Sequence, residues 1–245
     1  MSHSILIDRL SEWVGIKDTA LNWLRSYLTN RTFSVVIGDA KSSQIPLTSG
    51  VPQGSILGPL LFSIYMLPLG QIIRKHKINF HCYADDSQLY IPLKTGNTVI
   101  PQILDCLSDI KCWMSQNSLQ LNDSKSEILL FGPPNSIPAF QSQLGNLSNN
   151  IKGAARNLGV MFDSSLSFNQ QVTKVVQSCF FQLRNIAKIK SFISFSDLEK
   201  VIHAFITSRL DYCNSLYSGL NKKNYISSST SSKFSSQTFN KHQKA

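Results

Sequence analysis

The stretch Phe80-His81-Cys82-Tyr83-Ala84-Asp85-Asp86-Ser87-Gln88-Leu89-Tyr90 places two adjacent carboxylates between two apolar and aromatic runs. We predict a hairpin in which Ile78–Tyr83 and Ser87–Leu93 are strands and Asp85-Asp86 is the tight turn. Carboxylates this close repel each other, and a divalent cation, above all the hard ion Mg²⁺, relieves that repulsion. Aspartate is also a common turn residue, so the pair by itself does not distinguish a metal site from an ordinary solvated turn.

A second motif, Ser49-Gly50-Val51-Pro52-Gln53-Gly54-Ser55, precedes an apolar segment that we predict to be a helix. Its glycines allow the backbone to approach a ligand closely, and the amino terminus of the following helix favours negative charge. The loop is therefore suited to hold a nucleic-acid template or an incoming nucleotide. The alternative is that the loop merely turns the chain before a core helix, and the loop taken alone favours that alternative.

Upstream of these motifs, the apolar spacing predicts two helices and then a hairpin. Apolar residues recur at helical spacing over Leu6–Val14 and again over Leu21–Leu28. The β-branched and aromatic residues of Thr32–Ile37, the turn signal Gly38-Asp39 and the segment Ser43–Thr48 predict two paired strands.

Downstream, the pattern predicts a helix over Val99–Trp113 and a short apolar strand over Ser126–Phe131. Residues 133–150 are rich in Ser, Asn, Gln and Pro. We predict that they form a loop with at most one short helix and mark an internal boundary.

Two helices are predicted after that boundary. The first covers Ser167–Ser191, and its basic residues lie opposite an apolar face, where they are free to meet phosphates. Its apolar face consists of Phe168, Val172, Val175, Cys179, Leu183 and Ile186, and its basic face of Lys174, Arg184 and Lys188. The second helix opens with a capping box of Ser196 and Glu199, and its buried stripe is Leu198, Val201, Ile202 and Phe205. Residues 221–245 have too few apolar side chains to offset ordering entropy, and we expect a disordered tail.

The composition suggests a polyanionic partner inside the cell. The 245 residues carry 24 Lys and Arg against 14 Asp and Glu, a formal net charge of +10. Nucleic acid is therefore the first partner to consider, although many basic proteins bind none specifically. Five scattered cysteines argue against a disulfide framework or a zinc site and favour a reducing compartment. Ser55–Leu69 is too short an apolar stretch for a membrane span, and Met1–Leu10 does not resemble a secretory signal, so we expect a nuclear or cytoplasmic protein.

Five strings, in this order, carry a resemblance to a known family: SGVPQGSILGPLLFSIYM, YADDSQLY, LQLNDSKSEILLFG, RNLGVMFDSSLSF and SRLDYCNSLYSGL. Together they resemble the reverse transcriptase, an RNA-directed DNA polymerase, of non-long-terminal-repeat (LINE-type) retrotransposons. Tyr-Ala-Asp-Asp combined with Ser-Gly-Val-Pro-Gln-Gly is hard to assemble by chance, whereas either one alone could be coincidence. The resemblance covers Ser2 to Leu220. It implies an α+β fold with a partial palm, an antiparallel sheet packed on helices, over 1–132, a connection over 133–165 and a helical thumb over 166–220.

The resemblance also implies roles for individual residues. In that family the residues matched by Asp85 and Asp86 bind two Mg²⁺ ions, which activate the primer 3′ hydroxyl and neutralise the leaving pyrophosphate. Lys125 matches a lysine that acts near the departing pyrophosphate and is the further catalytic residue that the resemblance implies in this sequence. The implied partners are an RNA template, a DNA primer, their hybrid and a dNTP. The implied contacts are with template and nucleotide (Ser49, Gly50, Pro52, Gln53, Gly54, Tyr83), with the primer (Leu158, Gly159, Val160) and with duplex phosphates (Lys174, Arg184, Lys188).

One family feature is missing from this sequence. The family's palm carries a third carboxylate in a motif of the form Phe-Asp-x-x-Asp-His. His3 matches the closing histidine and Ser2 the second aspartate, so the metal-binding aspartate would precede Met1, and the fingers and endonuclease would also lie upstream. If these losses forfeit about 5 to 8 kcal/mol of transition-state stabilisation, the rate falls roughly ten-thousand-fold to a million-fold. We therefore expect a nearly inactive polymerase fragment. The alternatives are a non-catalytic nucleic-acid-binding remnant and a degenerate copy without function.

Overall fold

The computed structural model describes residues 1–52, 54–93, 99–132 and 137–219, which form helices and small antiparallel sheets. The expected α+β class is confirmed. The chain divides into two compact units, Met1–Asp123 and Ser124–Ala245. The finer division into palm, connection and thumb stays a prediction, and the tail expected to be disordered, residues 221–245, lies outside the described residues.

The helices of the first unit follow the apolar spacing of the sequence. They are α1 (His3–Glu12), α2 (Asp18–Leu28), α3 (Gly58–Lys75) and α4 (Val99–Gln116). The facing sides of α1, α2 and α3 form a first core, which consists of Leu6, Ile7, Leu10, Leu24, Leu28, Leu61 and Tyr65. A second core joins the later half of α3 to α4 and consists of Leu69, Ile73, Ile78, Cys106, Ile110, Trp113 and Met114. Because α3 contributes to both cores, it is the central element of this unit.

A buried cation, Arg9, links α1 to α3 and to the end of α4. Its side chain donates one hydrogen bond to the Tyr65 carbonyl oxygen at 2.7 Å and another to the side-chain oxygen of Asn117. The guanidinium carbon also lies 5.2 Å from the ring centroid of Tyr65 and 5.4 Å from that of Trp113, which is within cation–π range. Burial lowers the pKa of Arg9. The carbonyl, amide and ring partners compensate for the desolvation of the charge.

The predicted hairpin after α2 is present, but its ladder is interrupted. Its strands are β1 (Thr32–Phe33), β2 (Val36–Ile37), β3 (Ala40–Lys41) and β4 (Ile45–Pro46). The outer strands pair with each other, and the inner strands pair around a turn at Gly38-Asp39. Between the two ladders the Ser42 hydroxyl accepts the Val35 N–H at 3.0 Å. A side chain thus replaces one backbone bond of the ladder, and the strands stay short.

A second hairpin of this unit follows α3. Its strands are β5 (Asn79–Tyr83) and β6 (Asp86–Tyr90), which pair antiparallel along their whole length. The hairpin predicted around the two aspartates is therefore present, with strands slightly shorter than predicted.

The strand predicted at Ser126–Phe131 is wrong. This segment forms a single parallel bridge between Ile128 and Ile151, with the Ile128 N–H donating to the Asn150 carbonyl at 2.8 Å. The neighbouring segment is the cause, because Gly145–Asn150 is a 3₁₀-helix and leaves Ile151, just after it, as the extended residue. An apolar run needs an extended partner of similar length to become a strand.

The rest of the described second unit is mostly helical, as predicted. Its elements are α5 (Ile137–Gln143), β7 (Ala154–Asn157), β8 (Val160–Asp163), α6 (Asn169–Ile189), α7 (Phe195–Ile202) and α8 (Ser208–Asp211). Three residues of the predicted apolar face of α6, Cys179, Leu183 and Ile186, lie in a core with Leu198, Ile202 and Ile206; Val175 packs against this core and Val172 is buried. The prediction for Phe168 is wrong, because the helix begins at Asn169 and Phe168 is a half-buried cap residue with φ +53°. Among the helices of the described ranges, none combines the length and the apolar character that crossing a membrane requires.

The predicted capping box of α7 is wrong by two residues. The helix is capped by Ser194, whose hydroxyl accepts the Asp197 N–H at 3.1 Å and donates to the Asp197 carboxylate at 2.7 Å. Ser196 and Glu199 have the same spacing but lie inside the helix. Because α7 begins after Ser194 rather than after Ser196, it gains the hydrogen bond from the Leu198 N–H to the Ser194 carbonyl at 2.9 Å.

The predicted burial of Phe205 is also wrong. Phe205 is 44% exposed, whereas Ile206 is fully buried. A π-helical turn over His203–Thr207 is the cause, because it lengthens the turn by about one residue and moves the inward position from 205 to 206. Leu198 and Ile202 occupy the predicted stripe.

Candidate active site

The two aspartates lie at the tip of the antiparallel hairpin formed by β5 and β6. The register pairs Tyr83 with Asp86, so the two-residue turn is Ala84-Asp85, one residue earlier than predicted. Ala84 has φ +54°, a left-handed conformation that is uncommon for a residue with a Cβ. Such strain concentrates at functional sites. Here it places one carboxylate at the tip and the other at the start of a strand.

The hairpin has one face on the core and one face in solvent. Side chains alternate along each strand, and Phe80 and Leu89 pack against the second core. The paired residues Tyr83 and Asp86 therefore belong to the open face. Tyr83 is 68% exposed, so a ligand can reach the ring and the carboxylate beside it from the same side.

Close packing at Gly70 fixes this hairpin on α3. A Cβ at Gly70 would lie 3.0 Å from the Cζ of Phe80, so the absence of a side chain permits the approach. β5 follows α3 after a short connection, and Ile78 belongs to the same core as Ile73. The strand therefore runs back along the helix, which directs the Ala84-Asp85 turn toward the amino-terminal half of α3.

The Ser49–Ser55 loop immediately precedes that half of α3. Gly50 and Gly54 have φ +80° and +82°, and a Cβ at either position would meet nothing within 4 Å. Their backbone conformation therefore explains the glycines, and the space beside them is open. Pro52 is exposed, and Gln53, predicted to contact template or nucleotide, lies outside the described residues.

Residues at the start of the chain hold the beginning of this loop. Ser2 forms an antiparallel bridge with Ser49, and the Gly50 N–H donates to the Met1 carbonyl at 2.8 Å. The Nε2 of His3 lies 2.6 Å from the Gly50 carbonyl oxygen. The sequence draws attention to His3 because it matches a family motif, but the contact with Gly50 is visible only in the fold.

The donor chemistry of the hairpin tip suits a hard divalent cation. Asp85 and Asp86 are exposed, and neither carboxylate forms an ion pair within the described ranges. Mg²⁺ coordinates adjacent carboxylate oxygens while keeping several waters, and it relieves their mutual repulsion. The described part of the chain contains no group of three or more acidic, histidine or cysteine side chains that could hold a metal. The pair therefore fits Mg²⁺ as part of a coordination sphere.

The predicted primer-grip residues form the turn between β7 and β8. Leu158 and Gly159 have φ +44° and +87°, which suits a two-residue hairpin turn of type I′. The Tyr212 hydroxyl donates to the Leu158 carbonyl at 2.6 Å, and its ring lies 3.5 Å from the position of a Cβ on Gly159. Val160 is buried at the start of β8. Sequence reasoning missed this role of Tyr212, which is marked by its place in the string SRLDYCNSLYSGL.

The predicted phosphate contacts share the solvent side of α6. Lys174, Arg184 and Lys188 are exposed and lie opposite the buried face of the helix. Phe181, on the same side, is 55% exposed. The sequence of α6 has no acidic residue. A basic helix side with an exposed ring is suited to nucleic acid.

Lys125 is exposed at the end of a single 3₁₀ turn, Asp123–Lys125. The first residue of that turn, Asp123, pairs with Lys111 at 2.9 Å. The role of Lys125 near the pyrophosphate stays a prediction.

A buried carboxylate, Asp163, joins β8 to α6. It is 9% exposed and accepts hydrogen bonds from the Ser165 N–H and hydroxyl, the Ser167 N–H and hydroxyl, and the Phe168 N–H, at 2.6 to 3.2 Å. Burial raises the pKa of Asp163, but the hydrogen bonds to the ionised form outweigh burial and the net pKa is lowered. The ionised carboxylate therefore fixes the entry of the chain into α6.

Comparison with known proteins identifies the family. The family model described as reverse transcriptase (RNA-dependent DNA polymerase) matches residues 2–162. The chain belongs to the reverse transcriptase family. It is 27% identical over 161 residues to the RNA-directed DNA polymerase from mobile element jockey of Drosophila melanogaster, which covers 63% of this chain and 17% of the relative. It is 30% identical over 159 residues to the probable RNA-directed DNA polymerase from transposon X-element of Drosophila melanogaster. That match covers 62% of this chain and 17% of the relative.

These matches confirm the predicted membership in the reverse transcriptases of LINE-type elements. This reverse transcriptase chain spans less than a fifth of the length of the curated relatives it matches, as for the probable RNA-directed DNA polymerase from transposon BS of Drosophila melanogaster, where the match covers 19%. The matched residues 2–162 include the loop, the aspartate hairpin and most of the β7–β8 hairpin. Helix α6 follows the matched region, and its assignment to a thumb stays a prediction.

Proposed function

We propose that this chain is the palm and thumb part of an RNA-directed DNA polymerase that carries out Mg²⁺-dependent, RNA-templated DNA synthesis. The observation that carries the proposal is the exposed Asp85-Asp86 pair at the tip of a hairpin packed on α3. The same helix follows the Ser49–Ser55 loop, with its open space beside Gly50 and Gly54. In this proposal the loop and Tyr83 border the template and the incoming dNTP.

Asp85 and Asp86 would hold the metal, because their carboxylates are exposed and form no ion pair in the described ranges. When bound there, Mg²⁺ would stabilise the negative charge that develops during phosphoryl transfer. The protein contributes the positions of the two carboxylates. The left-handed Ala84 sets Asp85 at the tip, and the ladder pair with Tyr83 sets Asp86 on the open face.

We expect the isolated chain to be a poor polymerase, because Asp85 and Asp86 supply two of the three carboxylates that the resemblance implies. Primer extension with purified chain, RNA template, annealed DNA primer, dNTPs and Mg²⁺ tests this expectation. Product should not exceed the background of the Asp85→Ala, Asp86→Ala double variant. Product that disappears in the double variant would refute the inactivity and support the metal site.

The exposed basic side of α6 is the part of the chain that we propose to hold an RNA/DNA hybrid through its phosphates. Replacing Lys174, Arg184 and Lys188 by glutamine should weaken hybrid binding and reduce the slope of log affinity against log salt by about one per lost contact. The matched control replaces three exposed lysines that each pair with an aspartate: Lys75, Lys111 and Lys200. Equal effects of the two triple variants would show that total charge alone matters and would contradict the proposal for α6.

A second candidate function is nucleic-acid binding without catalysis. The sequence of α6, which contains no aspartate or glutamate, favours this function. Salt-sensitive hybrid binding that is unchanged by Mg²⁺ and by the double aspartate variant would support this function over the first. No binding at all would favour a degenerate copy. We also propose a nuclear or cytoplasmic location, which the scattered cysteine pattern supports.

A further inference from the structure

The outer side of α2 carries two large aromatic side chains, Trp23 and Tyr27, which lie about one helical turn apart and which the polymerase site does not include. Arg31 lies beyond the end of α2 at Leu28, and its guanidinium folds back over the Tyr27 ring. The rings of Trp23 and Tyr27 stack with centroids 5.8 Å apart and planes 13° from parallel. The guanidinium carbon of Arg31 lies 5.4 Å from the Tyr27 centroid, and its Nε donates to the Tyr27 carbonyl at 2.9 Å.

The two rings differ in how far they are exposed to solvent. Tyr27 packs against the first core, which holds its ring in place, whereas Trp23 is 57% exposed. The neighbouring positions on the outer side are small and exposed, namely Thr19, Ala20 and Ser26. A large indole held in solvent loses the stabilisation that burial would give it, which is typical of a surface that a ligand covers.

The charge next to the two rings favours a polyanion. The only acidic residue in the α2 sequence is Asp18, at its first position, and the cation Arg31 lies over the Tyr27 ring. Aromatic rings beside arginines are the surface on which unpaired bases stack while the cations meet the phosphates. We propose that Trp23, Tyr27 and Arg31 form a stacking site for single-stranded nucleic acid. The site goes beyond the proposed polymerase function, because it needs neither the aspartates nor a metal.

Fluorescence anisotropy with a labelled oligothymidylate of about 15 nucleotides, in EDTA, tests the proposal on the whole chain. Trp23→Ala should bind about five-fold to 100-fold more weakly, because each base stacked on an aromatic ring contributes a term of that size. Trp23→Phe should recover most of the affinity. Trp13→Ala is the matched control: Trp13 is 44% exposed and stacks on no ring in the described ranges. The affinity of Trp13→Ala for the oligonucleotide should stay within about twofold of that of the unchanged chain.

Two further measurements identify what the site binds. Duplex DNA of the same length should bind equally well to the unchanged chain and to Trp23→Ala, because paired bases are not available for stacking. In a Trp13→Phe background, the oligonucleotide should quench the emission of Trp23, since Trp113 is buried. Equal oligonucleotide affinities of Trp23→Ala and Trp13→Ala would overturn the proposal and would favour a protein as the occupant of this side. An equal loss of duplex and single-strand affinity in Trp23→Ala would overturn it as well.

The experiment separates this site from the polymerase site. The Asp85→Asn, Asp86→Asn double variant should keep its oligonucleotide affinity in EDTA. A failure of the α2 site therefore leaves the proposed metal site standing, and a failure of the metal site leaves the α2 site standing.

Discussion

The hairpins β5–β6 and β7–β8 both close with a two-residue turn, but only in β7–β8 does a distant side chain hold the turn. Tyr212 holds the Leu158-Gly159 turn with a hydrogen bond to one residue and a ring against the other. The Ala84-Asp85 turn is exposed, as are the residues on either side of it. Both turns use left-handed backbone, with glycine at one position of the turn that Tyr212 contacts and alanine in the Ala84-Asp85 turn. Contacts with Tyr212 stabilise the tip of β7–β8, whereas the tip of β5–β6 keeps its strain and its carboxylates available to a ligand.

The largest expected effect concerns Asp163, which extends the fixed region from β8 into α6. Asp163→Ala should destabilise the second unit by about 2 to 4 kcal/mol, because several donors lose a partly desolvated charged acceptor. Urea unfolding followed by circular dichroism measures this loss. The control is Asp86→Ala, at the exposed tip, which should change stability by less than about 0.5 kcal/mol. Similar losses in both variants would remove the distinction between the two hairpins.

The pH dependence of stability tests whether the ionised form of Asp163 is the one that stabilises the fold. The pKa of Asp163 is lowered in the folded chain, so its contribution is present above the unfolded pKa of about 3.9 and is lost as pH falls through the folded pKa. The stability difference between the unchanged chain and Asp163→Asn should therefore be flat from neutral pH to about 5 and shrink below about 4. A difference that stays constant in strong acid would contradict this role of the ionised carboxylate.

Gly159→Ala should cost about 1 to 2 kcal/mol, because the new Cβ meets an unfavourable backbone conformation at φ +87°. The Tyr212 ring, 3.5 Å from that Cβ, leaves the turn little room to relax. Thermal unfolding compares this variant with Gly54→Ala, where φ is similarly left-handed but the space is open. Equal losses would mean that Tyr212 does not constrain the turn.

Tyr212→Phe keeps the ring and removes the hydroxyl that donates to Leu158. We expect a loss of about 0.5 to 1.5 kcal/mol, the usual contribution of one hydrogen bond. Faster amide exchange should be confined to the β7–β8 hairpin, and exchange in β5–β6 should not change. Unaltered exchange around Leu158 would show that the hydroxyl does not hold the turn.

The smallest effect is expected at the exposed tip. Ala84→Gly should stabilise the first unit by about 0.5 to 1 kcal/mol, because glycine adopts φ +54° without strain. The sign is opposite to that of Gly159→Ala, and the same thermal unfolding assay measures both. Destabilisation by Ala84→Gly would indicate that the alanine conformation carries no strain.

The sequence predicts the local parts of this fold well and the long-range parts poorly. The helices α1 and α6 follow from apolar periodicity, because one buried face per helix imposes a regular spacing. The prediction of a strand at Ser126–Phe131 was wrong, because strand formation depends on a partner strand that the local sequence does not specify. The cap at Ser194 depends on a choice between two equally spaced serine–acid pairs, and the burial of Ile206 depends on a π-helical turn that the apolar spacing does not reveal.

The candidate site shows the same division. The aspartate hairpin and the glycine loop could be predicted, since turn chemistry and adjacent charge are written in consecutive residues. The contacts of Tyr212 with Leu158 and of His3 with Gly50 join residues 54 and 47 positions apart, and no local pattern encodes them. The stacking of Trp23 on Tyr27 has a helical spacing that is visible in the sequence, but its exposure is not.

The most direct test of the account is a Mn²⁺ titration of the ¹⁵N-labelled chain, with Mn²⁺ as a paramagnetic substitute for Mg²⁺. We expect selective broadening of the backbone amides from Tyr83 to Ser87 at the lowest Mn²⁺ concentrations. The Asp85→Asn, Asp86→Asn double variant should lose the broadening. Broadening that is absent or that persists in the double variant would contradict the claim that the exposed aspartate pair binds the metal of a polymerase site.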